Sequence, residues 1–428
     1  MNNVPINYSN IERVKVHSVL ACLVIIVVFS QPLSVVLSII TGFSINFAYI
    51  SAFMDIVIVL IVVKRSSVEN RMFLAIVIIF VSIVITYIFS GFESPVSSIS
   101  YLIQNVSALL LISYSGKQKN PLSLKQMYGI FFFSMSPSII VGFVQNITST
   151  PIFLDYILKS QNISLDSVNN VWQFGDKTRA FGLFYTNGYY GFYLIFLITL
   201  YICKTVFLKR WRILSFALLV LFLIALYGTY TRTAYANLVL VLALIPAIFF
   251  VRKMKIRALS TFIILQLVVG IFFAMIVIYS SKSGNDSSSL TNSQSITIRT
   301  ENWAKIIRNL KYRPEIIYGY GVTSNEIVID KKISVSDRGT LNSVIVDNGY
   351  MATLISGGII LLAIQIFVQY SFFSRLYKMY LERQNVYNLS ALAFYSSVTL
   401  YNLFGNLNSS ILIIGIALVI FGREKEGV

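Results

Sequence analysis

The chain is organised as a succession of apolar runs, each about as long as a bilayer's hydrocarbon core requires of a helix. Twelve such runs occupy 17–40, 44–63, 72–90, 98–115, 127–146, 181–203, 213–231, 233–251, 258–280, 344–371, 386–402 and 405–422. In lipid, a backbone must satisfy its own hydrogen bonds, and a helix does so within one segment. The composition agrees, with 56% hydrophobic and only 12% charged residues, where a soluble domain carries roughly a quarter charged. The expected fold class is therefore an all-α polytopic membrane protein with about 12 transmembrane helices, residues 1–428 forming a single integral membrane domain.

The placement of Lys and Arg orients this bundle. Arg13/Lys15, Lys64/Arg65/Arg71, Lys117/Lys119/Lys125, Lys204/Lys209/Arg210/Arg212, Arg252/Lys253/Lys255/Arg257, Arg375/Lys378/Arg383 and Arg423/Lys425 all fall at alternate ends of the runs. Short loops rich in Lys and Arg stay in the cytoplasm, so both termini are expected there. The formal charge of +17 thus records topology and gives no sign of a nucleic-acid partner. The 17–40 run is too long for a cleaved signal peptide and is followed at once by another run. Cys22 and Cys203 lie within runs, and His17 sits at a run's inner end, so neither a disulfide scaffold nor a metal site is expected.

Two polar segments lie on the opposite, outer side. The large one, 281–343, precedes the tenth run and contains nine of the 34 Lys and Arg. Within it, Trp303, Ile306, Ile307 and Leu310 share one face of an amphipathic helix over 299–311, while Lys305 and Arg308 point elsewhere; Pro314 ends it. Such a helix either lies on the membrane surface or covers the bundle. Gly319-Tyr320-Gly321 follows as a tight turn. The smaller loop, 147–180, ends in Trp172, Asp176, Lys177 and Arg179, then Gly182, Phe184, Tyr185 and Asn187 lead into the next run.

Arg232, in Thr231-Arg232-Thr233, interrupts an otherwise apolar stretch at the turn between runs seven and eight. A charge at that depth should be wet, paired or facing a cavity. Asp55, inside run two, either pairs with an arginine or hydrogen-bonds a neighbouring helix. Arginines at the outer ends of several helices would line a positive cavity suited to a diphosphate head group whose lipid tail stays in the bilayer. Asp347-Asn348 adds a polar pair where run ten begins, and Asp347 is a candidate acceptor for the proton of a sugar hydroxyl.

These pieces together resemble the bacterial O-antigen ligase and polysaccharide repeat-unit polymerase superfamily, and its polymerase branch most. The resemblance rests on Arg179 to Asn187 with Gly191, on Tyr230 to Ala234, on Arg299 to Trp303, on Arg308 with Gly319 and Gly321, and on Asp347 to Tyr350 with Gly357-Gly358. It implies a GT-C-like glycosyltransferase that works on polyprenyl-diphosphate-linked glycans. In the polymerase branch, glycan leaves one carrier lipid and joins the sugar of another lipid-linked repeat unit, building O-antigen, capsular or related surface polysaccharide. The ligase branch transfers finished glycan to a lipid acceptor, and its large outer loop commonly presents a His-Asn pair where this chain has Asp347-Asn348.

The resemblance implies Asp347, Arg232 and Arg308 as catalytic candidates. For substrate and diphosphate binding it implies Arg179, Arg299, Lys305, Asn187, Asn348 and Tyr320, with Gly182, Gly191, Gly319 and Gly321 as structural glycines. It calls for no cofactor, because the diphosphate already activates the sugar. The implied partners are lipid-linked donor and acceptor glycans, membrane lipids, a chain-length regulator and a repeat-unit flippase. The implied location is the bacterial cytoplasmic (inner) membrane, with the site facing the periplasm or cell exterior. The competing class is a lipid-linked oligosaccharide flippase or transporter, although no repeated halves are evident in the sequence.

Overall fold

The computed structural model describes residues 19, 22–43, 45, 47–65, 70–90, 103, 105–107, 109–110, 124–159, 173–174, 177–184, 186–208, 212–282, 303–304, 306–308, 314–319, 348–404, 415 and 417–418. The described chain is mostly helical. Its elements are α1 (Cys22–Val28), α2 (Ser30–Thr41), α3 (Phe47–Arg65), α4 (Asn70–Ser90), α5 (Leu124–Thr148), α6 (Leu154–Lys159), β1 (Gln173–Phe174), β2 (Lys177–Thr178), α7 (Asn187–Phe207), α8 (Arg212–Gly228), α9 (Arg232–Lys253), α10 (Ala258–Lys282), α11 (Glu315–Tyr318), α12 (Gly349–Glu382) and α13 (Val386–Phe404). Among the described residues α5, α7, α9 and α12 are each long and apolar enough to cross a membrane, and α1 with α2 would make a fifth if counted as one span. The chain is a multi-pass helical membrane protein. Among the described residues a short antiparallel hairpin departs from an all-helical reading, with Gln173 opposite Thr178 and Phe174 opposite Lys177.

Helix α7 is the centre of the bundle. It packs against α8, α9 and α13, and every residue from Tyr190 to Tyr201 is buried. A helix apolar on all sides is stable only where neighbours cover all sides. Aromatic rings fill the seams: Tyr128 stacks on Phe196 with ring centroids 4.7 Å apart, and Phe192 meets Phe394 at 5.3 Å and Tyr401 at 5.2 Å. Where α7 and α9 approach most closely, a side chain on Gly191 would lie 3.0 Å from Ala234 Cβ and 3.2 Å from the Tyr401 hydroxyl. The expected start of this run at 181 moves to Asn187, because Thr186 caps the helix by accepting from the Tyr189 N–H.

Among the described residues two of the expected spans are broken. The 17–40 run bends by 80° between α1 and α2. Pro32 has no N–H to give the Val28 carbonyl four residues earlier, and Tyr193 of α7 donates its hydroxyl to that oxygen at 2.9 Å instead. The other break is in α12, where Gly357 and Gly358 leave helical geometry; Gly358 has φ 66° and ψ −165°, a combination essentially restricted to glycine. The Tyr350 hydroxyl donates to Gln369 Oε1 at 3.0 Å. In a straight helix those two residues would be about 28 Å apart along the axis, far beyond the reach of two side chains. The first turns of α12 therefore fold back along its longer second part, and the expected single span 344–371 is a short re-entrant piece followed by a long helix ending at Glu382.

Asp55 is buried in α3 and accepts a hydrogen bond from Ser107 Oγ of a neighbouring segment at 3.1 Å. The amphipathic stretch is helical at 303–304 and 306–308. Ile306 is buried, Trp303 is half-buried and Ile307 is exposed. Pro314 begins the next short element, accepting from the Ile317 N–H at 3.0 Å.

Candidate substrate site

A corner of the molecule is assembled from the chain entering α7 and the turn joining α8 to α9. The turn is tight. Tyr230 is in the left-handed region at φ 46°, its N–H bonds the Tyr227 carbonyl at 3.1 Å, and Thr229 returns its hydroxyl to the Leu226 carbonyl at 2.7 Å. The Thr231 N–H donates to Thr229 Oγ1 at 3.2 Å, and Arg232 follows as the first residue of α9. The Tyr235 hydroxyl closes over the turn onto the Tyr227 carbonyl at 2.6 Å.

The entering strand is tied to this turn at two points. The Ala180 N–H donates to the Gly228 carbonyl at 2.8 Å, and the buried Asn187 side chain donates to the Thr229 carbonyl at 3.0 Å and to Thr231 Oγ1 at 2.9 Å. Arg179 is thereby brought within electrostatic reach of Arg232. Burial and the neighbouring Arg232 charge both pull the Arg179 guanidinium below its ordinary pKa, with Tyr235 acting weakly the other way. Arginine starts so high that it stays cationic at neutral pH. Lys177 adds a third cation, its ammonium 6.0 Å from the Tyr230 ring centre. Two like charges held together repel, whereas an anion with several oxygens between them converts that repulsion into charge-assisted hydrogen bonding.

Gln145, buried in α5, anchors the same strand from below. Its Oε1 accepts from the Phe181 and Gly182 N–H groups at 3.0 and 2.9 Å, and its Nε2 donates to the Gly182 and Ile152 carbonyls at 3.1 and 3.0 Å. Gly182, at φ 58°, passes so near α5 that a side chain would sit 2.6 Å from the Ser138 carbonyl. Thr178 fixes the hairpin to the end of α5 by donating to the Ser149 carbonyl at 2.7 Å. Gln145 was absent from the expected site, although a glutamine inside an apolar run is itself a signal of an interior hydrogen-bonding task.

The remaining expected residues gather around the break in α12 or lie elsewhere. Asn348 is buried and caps α12, its Oδ1 accepting from the Tyr350 and Met351 N–H groups at 2.9 and 3.1 Å. Gly319 is buried at φ 80°, with a would-be side chain 2.5 Å from the Ser356 carbonyl; α11 thus seats directly on the Gly357-Gly358 break. Arg308 is exposed on its helical fragment. Asp347, Arg299, Lys305, Tyr320 and Gly321 lie outside the described residues. The structure therefore brings Arg179, Arg232 and Asn187 into one corner, with Gly182 and Gly191 in its walls, and gathers Asn348 and Gly319 at a second place. Among the described residues no cluster of His, Cys, Asp and Glu could hold a metal ion.

The fold and this corner define a class: a polytopic helical membrane protein with paired cations where two helices begin. Residues 217–366 match the family model described as O-antigen ligase, which places the chain's similarity with the O-antigen ligase and polymerase superfamily. The matched stretch runs from within α8 through Arg232 to the middle of α12, and includes Arg308, Gly319, Asp347, Asn348 and the Gly357-Gly358 break. Arg179, Gly182, Asn187 and Gly191 precede it. No curated protein matches the chain.

Proposed function

We propose that the protein is a repeat-unit polymerase: a glycosyltransferase that joins polyprenyl-diphosphate-linked oligosaccharides into a surface polysaccharide such as O-antigen or capsule. The observation carrying this reading is the placement of Arg179 beside Arg232, by two hydrogen-bonded ties, at the point where α7 and α9 start. In the proposed step an acceptor hydroxyl oxygen forms a bond to the anomeric carbon of the donor, and the bond from that carbon to diphosphate oxygen breaks. The electron pair departs with the carrier diphosphate, whose growing charge Arg179 and Arg232 stabilise by preorganised electrostatics. The hydroxyl proton passes to the carboxylate of Asp347, which directly precedes Asn348 in the sequence. Arg308, Arg299, Lys305 and Tyr320 extend the cationic and sugar-contacting surface in the large outer loop, and Asn187 and Asn348 position their neighbours.

The topology that suits this chemistry is the twelve-crossing one, with both termini cytoplasmic and the site facing the periplasm or exterior of the inner membrane. A chain-length regulator and a repeat-unit flippase would be its working partners. The family description favours a second reading, an O-antigen ligase that transfers finished glycan to a lipid acceptor. One reconstitution separates them. Vesicles bearing the full chain receive polyprenyl-diphosphate-linked repeat units, without nucleotide sugar, and the glycan products are sized. Longer lipid-linked glycans with release of carrier diphosphate support the polymerase. Transfer only when a second lipid acceptor is added supports the ligase, and glycan movement across the bilayer without new glycosidic bonds supports a flippase.

A further inference from the structure

The opposite end of the bundle holds a second group of cations in a setting that the glycosyl-transfer reading does not use. Lys204, in the last turn of α7, is half-buried, with its ammonium 4.9 Å from the Tyr201 ring centre and 5.4 Å from that of Tyr387 in α13. Lys125, in the first turn of α5, lies within electrostatic reach of it. Tyr128 completes the floor: its hydroxyl shares a 2.9 Å hydrogen bond with Ser390 Oγ, and its ring centre is 5.9 Å from Tyr387.

The concentration of basic residues on one side follows from membrane insertion alone, but that rule does not draw an ammonium in among rings beside a second ammonium. Aromatic faces attract Lys204, yet they carry no net charge to set against that of Lys125. The beginning of α5 adds the positive end of a helix dipole on the same side. A negative group between the two lysines would settle all three. The surroundings specify what sort of anion fits. Val206, Phe207 and Leu208, directly after Lys204, are exposed apolar residues at the end of a membrane-length helix, a surface for acyl chains and not for water.

We infer that Lys125 and Lys204, over Tyr201 and Tyr387, bind the phosphate of an anionic membrane phospholipid between the ends of α5, α7 and α13. Basic pockets between transmembrane helices are suited to such head groups, each lysine contributing about 1 kcal/mol near the surface. Two lysines therefore correspond to roughly a thirtyfold preference for an anionic over a zwitterionic lipid.

The test is native mass spectrometry of the full chain, purified in neutral detergent and titrated with phosphatidylglycerol or phosphatidylcholine. The expected result is one phosphatidylglycerol retained with about thirtyfold preference, reduced to roughly fivefold in Lys125→Gln and in Lys204→Gln, and kept in Lys204→Arg. Lys125 is exposed, so Lys125→Gln folds and decides the matter even if Lys204→Gln does not. An unchanged preference in Lys125→Gln overturns the proposal. So does full displacement of the lipid by millimolar inorganic phosphate, which would mark a site for a free anion.

Discussion

The Arg179–Arg232 corner and the α11–α12 junction are both made by an irregular segment folding onto a helix, but different forces hold them. At the arginine corner the segment hangs mainly on side-chain hydrogen bonds with Gln145, Asn187 and Thr178, helped by the Ala180–Gly228 backbone bond and one close glycine contact at Gly182. At the α11–α12 junction the backbones themselves touch, because Gly319, Gly357 and Gly358 present no side chains. A hydrogen-bonded corner tolerates the loss of one bond by relaxing or admitting water. A backbone contact without room for a methyl group does not relax. The first arrangement suits a site that must adapt to a substrate, and the second suits a fixed pivot.

The sharpest way to break this contrast is at Gly358. An alanine there must take up φ 66°, and its methyl group would meet the Ile317 carbonyl and lie 2.5 Å from the Tyr318 nitrogen. Gly358→Ala is expected to destabilise by more than about 3 kcal/mol, seen as loss of monodisperse protein on size exclusion and a lowered melting temperature. Full retention of both would show that the junction can open, and the contrast between the two regions would collapse.

At the arginine corner the corresponding change should leave the fold intact and remove function. Arg179→Gln and Arg232→Gln are each expected to lower polymer formation by about 10²–10³-fold with normal expression and melting temperature, the scale for losing a donor aimed at developing charge. The double variant should lose little more than either single one, because the two guanidiniums act on one group. Arg179→Lys sharpens the point through pH. Burial and Arg232 both disfavour a cation at this position, so a lysine there deprotonates at a lower pH than a free one. Its activity should fall at a lower pH than that of the arginine enzyme as the solution is made more alkaline. A parallel pH profile for the two would place residue 179 away from the substrate's charge.

Gln145→Leu probes the polar clamp itself. It leaves the buried Phe181 and Gly182 N–H groups without their shared acceptor, at a cost of about 1–3 kcal/mol. The strand carrying Arg179 should loosen, so activity should fall along with the melting temperature, whereas Arg179→Gln separates the two. If Gln145→Leu lowers stability and leaves turnover untouched, the clamp serves packing alone.

Much of this was legible in the sequence, and the exceptions have physical causes. The apolar runs and the paired arginines could be read because membrane length and the penalty for a charge in lipid act locally along the chain. Asn187 was visible as a candidate, but its use as a tie to Thr229 and Thr231 depends on a partner segment more than 40 residues away. Pro32 and the Gly357-Gly358 pair were also in plain view. A proline near a helix start is ordinary, however, and glycine pairs are common in membrane helices, so neither reveals a bend or a reversal until the Tyr193 and Tyr350 hydroxyls are seen to bond across it.

The smallest expected effect tests the reversal most directly. Tyr350→Phe removes only the hydroxyl that donates to Gln369 Oε1, leaving the ring and the Asn348 cap in place. Loss of one such neutral hydrogen bond is worth about 1 kcal/mol, so a small drop in melting temperature is expected. The more telling measurement is distance. With spin labels at Met351 and Ile366, a folded-back α12 gives a short separation, whereas a straight helix would hold these positions about 22 Å apart along its axis. The folded-back distance should persist in Tyr350→Phe, because the reversal is made by the backbone at Gly358 and the hydroxyl only trims it. A long distance in the unsubstituted Tyr350 background would replace the re-entrant piece with a continuous span, and would carry the Asn348 cap away from the long second part of α12.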